Sequence, residues 1–150
     1  MKRIVALAVL LNISLFAVAQ VKNPVHWSFT SKKINATTYE LHITANIDAG
    51  WHIYSIDHSA DIGVATNIVF KANPLGATNG KIKVVGKPVS MPDPATAEVV
   101  KFYEKNVDFV QVVKLKAPVK TSFSGTVEFM VCDDKQCLPP TEKSFTIALK

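Results

Sequence analysis

The chain has 150 residues, enough for one domain with its own hydrophobic core, and 48% of them are hydrophobic. The formal net charge is +5; without Lys2 and Arg3, which precede an apolar leader, 15 basic residues face 12 acidic ones and the charge is +3. No arginine then remains, and Lys32 and Lys33 are the only adjacent lysines. Nucleic-acid binding usually needs a concentrated basic face, often with arginine, so this composition argues against it.

The amino terminus has the pattern of a secretory signal peptide. Two basic residues precede the apolar run 4–18, and Ala17 and Ala19 supply the small residues that a signal peptidase reads. We therefore predict that residues 1–19 are removed and that residues 20–150 form one exported, periplasmic domain. The apolar run is too short for a comfortable membrane span, and we expect no span in the mature chain.

Short alternating apolar segments, separated by turn residues, follow one another along the mature chain. The clearest is 39–47, and segment 107–116 places Phe109, Gln111, Val113 and Leu115 on one face. Segment 87–97 contains three prolines, so we predict an exposed irregular loop there, with a helical turn as an option at 95–102. Eight or nine strands without a sustained helical period predict an all-β, immunoglobulin-like β-sandwich. The predicted strands are 25–30, 39–47, 51–56, 67–71, 81–86, 107–116 and the two arms of a hairpin, 127–131 and 145–149.

That C-terminal hairpin holds both cysteines of the chain. Four polar residues separate Cys132 from Cys137, and Leu138 and a Pro-Pro pair follow. The pattern predicts a tight polar loop between neighbouring strands, with a cysteine at each shoulder and the two sulfurs within bonding reach. In an exported protein two such cysteines are usually paired.

Three uses of this cysteine pair are compatible with the sequence. A structural disulfide closing a loop of about six residues would add only about 2 kcal/mol of stability, which a domain this hydrophobic does not obviously need. A redox-active disulfide suits the tight loop and the export equally well. Zinc would need two further ligands from four histidines that show no ligand-type spacing, so we expect no metal and no cofactor. Spacing and export alone do not decide between the structural and the redox use.

The cysteine segment resembles a known signature. The run CDDKQCLPP at 132–140 looks like the active-site signature of the N-terminal periplasmic domain of the thiol–disulfide interchange protein DsbD, the disulfide bond corrector family. That signature has two cysteines a few residues apart, then an aromatic or aliphatic residue and Pro-Pro. The run GWHIY at 50–54 is similar to the family's Gly-aromatic-x-aliphatic-Tyr strand, and 102–111 resembles the strand after its cap loop. The resemblance extends from about Trp27 to Leu149.

The resemblance implies an immunoglobulin-like domain that carries electrons, a protein-disulfide reductase. Such a domain accepts electrons from a thioredoxin-like or membrane donor and passes them to oxidised periplasmic proteins, including disulfide isomerases and cytochrome c maturation factors. By position, Cys137 would form the mixed disulfide with partners and Cys132 would complete the internal disulfide. The family's usual membrane and thioredoxin-like domains are not found in these 150 residues, so we expect a separate donor, and a monomer. The competing hypothesis is a secreted immunoglobulin-like binding module whose hairpin disulfide is structural.

In the family a cap loop with an aromatic residue covers the disulfide. The matching segment here is 87–97, and it offers Met91, whose thioether side chain could serve as an apolar lid. Phe102 and Tyr103 are alternative cap residues, although core packing at the start of a strand would explain them equally well. The sequence therefore names three cap or partner-facing candidates.

Two further partner-facing candidates come from the segment that precedes the cap. Tyr54 matches a site residue of the family, and His52 stands where the family often has an aromatic residue. Within the cysteine motif itself, Asp133 and Asp134 should disfavour a thiolate at Cys132. Because the motif shows no histidine or helix N-terminus that would activate a sulfur, we predict sluggish thiols in the absence of a docked partner.

Overall fold

The computed structural model describes residues 22–58, 63–92 and 99–150. The predicted signal peptide, 1–19, and part of the predicted cap segment, 93–97, lie outside the described residues. In the described ranges the chain forms eleven strands, and no helix there is long and apolar enough to cross a membrane. The strands are β1 Val25–Lys33, β2 Thr38–Ile47, β3 His52–Tyr54, β4 Asn67–Phe70, β5 Gly76–Val85, β6 Val89–Pro92, β7 Val99–Glu104, β8 Asn106–Leu115, β9 Ser122–Phe129, β10 Val131–Cys132 and β11 Thr141–Ala148.

The strands form three antiparallel sheets around one main core. The first sheet has the order β1-β2-β8-β5, the second β10-β3-β7-β6 and the third β11-β9-β4. Alternation along β2 and β8 turns one face of the first sheet inward, where Ile43 and Phe109 are fully buried. They share the core with Ile53 of the second sheet and Val127 of the third. The prediction of an all-β, immunoglobulin-like sandwich is confirmed.

The predicted inward face of 107–116 is also confirmed. Phe109, Gln111, Val113 and Leu115 are all buried on β8. The one polar residue among them is satisfied, since the Gln111 side-chain amide donates to the Val112 carbonyl at 2.8 Å. Burial of a polar group without such a partner would be unfavourable.

The structure corrects the prediction for the proline-rich segment 87–97. It contains a strand, β6, which pairs with β7, and eleven strands are present where eight or nine were predicted. β6 lies at the edge of the second sheet and Pro92 is its last residue, so the ladder tolerates a proline, which lacks an N–H group. The optional helical turn at 95–102 is wrong from Val99 onward, because that part belongs to β7.

The predicted C-terminal, cysteine-bearing hairpin is confirmed, and the connection between its arms follows a path that the sequence did not indicate. β9 and β11 do pair, with Phe129 opposite Thr141, but the segment between them leaves the third sheet. There β10 joins the second sheet instead, with Cys132 opposite His52 of β3, and Cys137 forms an isolated bridge opposite Cys132. The cysteines therefore lie in the connection between β9 and β11, where they oppose each other in an antiparallel bridge of their own. Val131 of β10 is buried in the main core, which fixes this segment against the second sheet. Both sulfurs therefore lie at an edge of that sheet.

Candidate functional site

Cys132 and Cys137 are joined by a disulfide across a four-residue turn. Their Cα atoms are 4.0 Å apart. The turn is closed by a backbone hydrogen bond in which the Asp133 amide donates to the Gln136 carbonyl at 2.9 Å. The predicted pairing and the predicted tight polar loop are both confirmed.

The Asp133 side chain stabilises this turn from within. Its carboxylate accepts hydrogen bonds from the backbone amides of Lys135 and Gln136, each at 2.8 Å. These bonds, the Lys135 amide first, lower the pKa of Asp133 below its ordinary value. A short polar side chain that bonds backbone groups two and three residues on is the usual arrangement of an Asx turn.

The two sulfur-bearing residues differ sharply in exposure. Cys132 is 2% exposed, whereas Cys137 is exposed on the outer side of the turn. A molecule in solvent therefore meets Cys137 first. The disulfide is open to attack from one side and sheltered on the other.

A small apolar cluster surrounds Cys132, separate from the main core. Tyr54 and Phe102 are buried against it, 5% and 4% exposed, and Met130, Val89 and Val100 pack around them. The Tyr54 hydroxyl oxygen lies 3.7 Å from Cys132 Sγ. Because a disulfide sulfur carries no proton, the hydroxyl is the donor in this contact.

Strand register explains how these residues meet. Directly opposed residues of an antiparallel pair share a face of the sheet. His52 is opposite Cys132, Tyr54 is opposite Phe102, and Phe102 is opposite Val89. We call this outer surface of the second sheet the disulfide face; it comprises Cys132, His52, Tyr54, Phe102, Val100, Val89 and Met91.

The cap candidates take different positions relative to this face. Met91 lies on it, opposite Val100 on the edge strand β6, and is 53% exposed. Phe102 is buried beside Cys132. Tyr103 does not face outward as a cap residue would, because neighbouring residues of a strand point to opposite faces; it is buried in the main core with its ring centroid 6.4 Å from that of Phe109.

His58 and Gly63, which follow β3 in the chain, both lie against the Tyr54 ring, which the sequence did not indicate. The His58 ring stacks on the Tyr54 ring at a centroid distance of 4.7 Å. Gly63, with φ of +80°, comes so close that a Cβ atom there would be 2.2 Å from the Tyr54 ring. Gly63 itself is the signal in the sequence that could have indicated this close approach.

Asp57, which lies just after β3, is linked to the second sheet by its side chain. The Ser55 hydroxyl donates to its carboxylate, and the Lys101 ammonium group of β7 lies 3.1 Å from its other oxygen. These contacts, the Ser55 hydroxyl first, lower the pKa of Asp57. The interactions fix the chain where it leaves β3, next to Tyr54.

His52 lies beside Cys132 in the sheet, which the sequence alone did not reveal. Its ring is half-buried, 4.4 Å between centroids from the Phe102 ring and edge-on to Tyr54 at 5.9 Å. Burial lowers the pKa of His52, and the carboxylates of Glu104, Asp134 and Asp133 oppose that shift. The motif itself contains no histidine, as noted, but the fold brings one to it.

The other histidines of the described residues do not gather into a metal site with the cysteines. Among residues 22–58, 63–92 and 99–150, no group of three or more His, Cys, Asp or Glu side chains could hold a metal ion. His42 instead bonds Asp108 through Nδ1 at 2.7 Å, on the first sheet.

Comparisons with known proteins point to one family. Residues 19–149 match the family model described as "Thiol:disulfide interchange protein DsbD, N-terminal". None of the curated proteins matches the sequence. The N-terminal periplasmic domain of ScsB from Proteus mirabilis has 15% identity and a TM-score of 0.54, over 84% of this chain and 48% of that one. This chain thus spans about half the length of that structure, and at this identity the likeness shows the fold alone.

A second structure is the reduced DsbD N-terminal domain from Neisseria meningitidis, with 10% identity and a TM-score of 0.45 over 83% of this chain and 85% of that one. The family match covers nearly all of the chain and includes both cysteines. The chain therefore belongs to the family of DsbD N-terminal domains, which implies a role in thiol–disulfide exchange.

Proposed function

We propose that this domain carries electrons between periplasmic proteins by opening and re-forming the Cys132–Cys137 disulfide. The observation that supports this most directly is the difference in exposure between the two cysteines. Exchange needs a thiolate that reaches one sulfur of a disulfide and a second sulfur that leaves. Cys137 offers the accessible sulfur and buried Cys132 the leaving one, which remains attached to the protein.

In the electron-donating direction the reduced domain acts on an oxidised protein. The Cys137 thiolate attacks one sulfur of the partner's disulfide, and the partner's other sulfur leaves as a thiolate. Cys132 then attacks Cys137 Sγ in the mixed disulfide, so that the bond to the partner breaks and the Cys132–Cys137 bond forms. Two electrons pass to the partner, which leaves as a dithiol.

Recharging reverses these steps with a reducing partner. A thioredoxin-like donor, or a membrane protein carrying a reactive dithiol, attacks Cys137 Sγ and displaces the Cys132 thiolate. The donor's second thiol then resolves the mixed disulfide and leaves the domain reduced. In this scheme the domain is a protein-disulfide reductase that needs no cofactor.

The disulfide face has two proposed roles in this cycle. Buried Tyr54 and Phe102 would shield Cys132 from solvent and small oxidants. Exposed Met91, on the edge strand of the same face, would act as an adaptable apolar contact or lid for partners. The tyrosine hydroxyl, 3.7 Å from Cys132 Sγ, would donate to the thiolate that forms on reduction.

A purely structural disulfide is the alternative to be tested. The six-residue loop gives a cross-link that contributes about 2 kcal/mol at most. A secreted binding module would use it only to stabilise the turn. The two functions differ in whether a sulfur atom of another protein reaches Cys137 Sγ.

Trapping of mixed disulfides tests the proposal. With Cys132→Ala, Cys137 has no internal partner, and we expect adducts with other proteins on non-reducing gels of the periplasmic fraction. The matched variant Cys137→Ala should give few adducts, since its remaining thiol is buried. Equal trapping by both variants, or none by either, would contradict the assigned roles.

A further inference from the structure

We propose that His52 is the proton acceptor for Cys132 when that thiol attacks the mixed disulfide. The inference rests on the exchange function proposed above and adds a residue to it. The family often has an aromatic residue at this position, so the histidine is a property of this chain's own site.

The sheet fixes the relation between the two side chains. His52 of β3 and Cys132 of β10 are directly opposed in an antiparallel pair. Their Cβ atoms are therefore about 4.5–5.5 Å apart and their side chains leave the same face of the sheet. An imidazole at that distance can reach the neighbouring sulfur by rotation about its own side-chain bonds.

The His52 ring contacts two aromatic neighbours. The Phe102 ring lies 4.4 Å away between centroids, and Tyr54 presents an edge at 5.9 Å. Both neighbours also belong to the cluster that encloses Cys132. Histidine and thiol thus occupy one half-sheltered environment, where their electrostatic interaction is stronger than in water.

Several charged groups face the imidazole. Glu104 of β7 is directly opposite it, and Asp133 and Asp134 lie in the disulfide turn. In the oxidised protein burial outweighs these carboxylates and lowers the pKa of His52, so that the ring is neutral at neutral pH. A neutral imidazole has a free lone pair and accepts a proton. Reduction of the disulfide places a sulfur that can become an anion next to the imidazole.

The step is balanced in atoms and electrons. The Cys132 thiol proton passes to the His52 imidazole, and Cys132 Sγ attacks Cys137 Sγ. The bond from Cys137 to the partner breaks, the internal disulfide forms, and the partner sulfur leaves with the electron pair. The imidazolium returns its proton to that leaving thiolate or to water. In recharging the steps reverse: the proton that the attacking donor thiol releases passes to His52, and the resulting imidazolium stabilises the departing Cys132 thiolate.

The coupling between the two groups is reciprocal. An imidazolium favours the thiolate beside it, and a thiolate favours the imidazolium, so the pair titrates as a unit in the reduced protein. The disulfide has no charge and makes no such contribution. The titration of His52 should therefore depend on the redox state of the cysteines.

Nuclear magnetic resonance of the unmodified protein tests this directly. We expect the His52 ring signals of the reduced protein to follow the ionisation of Cys132 as well as that of the ring, which gives a step in their titration that the oxidised protein lacks. His26 and His42, both on strands of the first sheet, serve as internal controls, and their ring signals should not depend on the redox state of the cysteines. A His52 titration curve with the same steps in both redox states would overturn the proposal.

A pair of variants supplies a second test. In reduced Cys137→Ala protein the Cys132 thiolate is followed by its ultraviolet absorbance against pH. His52→Phe should raise the apparent pKa of Cys132 by about one unit, a tenfold smaller thiolate fraction below that pKa. His26→Phe, the same substitution on β1, should leave the curve in place. Identical curves for His52→Phe and its parent would refute the role.

Neither titration requires a partner protein. If His52 and Cys132 are coupled but no mixed disulfides are trapped, the exchange function fails while the coupling between the two side chains stands. If adducts form through Cys137 but His52 does not respond to reduction, the exchange function stands and the role of His52 is rejected.

Discussion

Gly63 is the position where a single methyl group should disturb the site most selectively. The residue has a φ of +80°, and an added Cβ would lie 2.2, 2.4 and 2.8 Å from three carbons of the Tyr54 ring. Optimal separation between carbon atoms is about 3.5–4.0 Å. Gly63→Ala must therefore move either the buried ring or the segment that covers it, and the ring hydroxyl contacts Cys132.

The cost divides into two parts that can be measured separately. An L-residue in the left-handed region costs about 1–2 kcal/mol, of which about 0.4–1 kcal/mol is recovered because alanine restricts the unfolded chain. Forcing a methyl group into a packed site adds about 1–3 kcal/mol. Gly80→Ala is the matched control, since Gly80 has a φ of +76° and no atom within 4 Å of the added Cβ.

Denaturant unfolding of the two variants measures the difference. We expect Gly63→Ala to lose about 1–3 kcal/mol more free energy of unfolding than Gly80→Ala, the overpacking contribution alone. Displacement of Tyr54 should also expose Cys132, so that dithiothreitol reduces the disulfide faster in Gly63→Ala only. Equal losses of stability and equal reduction rates would refute the packing of this segment against Tyr54.

Two further predictions concern the disulfide turn. Reduction of the unmodified protein should lower the free energy of unfolding by only about 2 kcal/mol and leave the fold intact in denaturant titrations, because the closed loop is short; complete unfolding on reduction would indicate an essential structural cross-link. Asp133→Ala should weaken hydrogen-exchange protection of the Lys135 and Gln136 amides, whereas Asp134→Ala, next in the turn, should not. Since the pKa of Asp133 is lowered in the folded state, its stabilisation is present above the ordinary carboxyl pKa and is lost as pH falls through the lowered one. A difference between Asp133→Ala and the unmodified protein that persisted in strong acid would contradict this assignment.

Local alternation made much of the sandwich predictable. The pattern of Phe109, Gln111, Val113 and Leu115 gave the buried face of β8 correctly, and the turn at 48–50 precedes β3 as expected. These features depend on residues close together in the chain. The side-chain period of two is the same wherever the strand lies in the sheet.

Register between distant segments was not predictable in the same way. Nothing near Cys132 indicates that it lies opposite His52, because that pairing depends on β10 leaving the third sheet for the second. The prolines of segment 87–97 likewise argued against a strand until the edge position of β6 was known. Whether a strand can contain a proline depends on its position in the assembled sheet, and the local sequence does not reveal that position.

The central claim is that the Cys132–Cys137 disulfide exchanges with other proteins. The most direct measurement is its reduction potential, determined by equilibration in glutathione or dithiothreitol buffers of known potential. Structural disulfides of exported proteins typically lie below about −300 mV, while exchanging ones are more oxidising. The account predicts a potential above that limit; a value well below it would show a bond that the proposed partners cannot use.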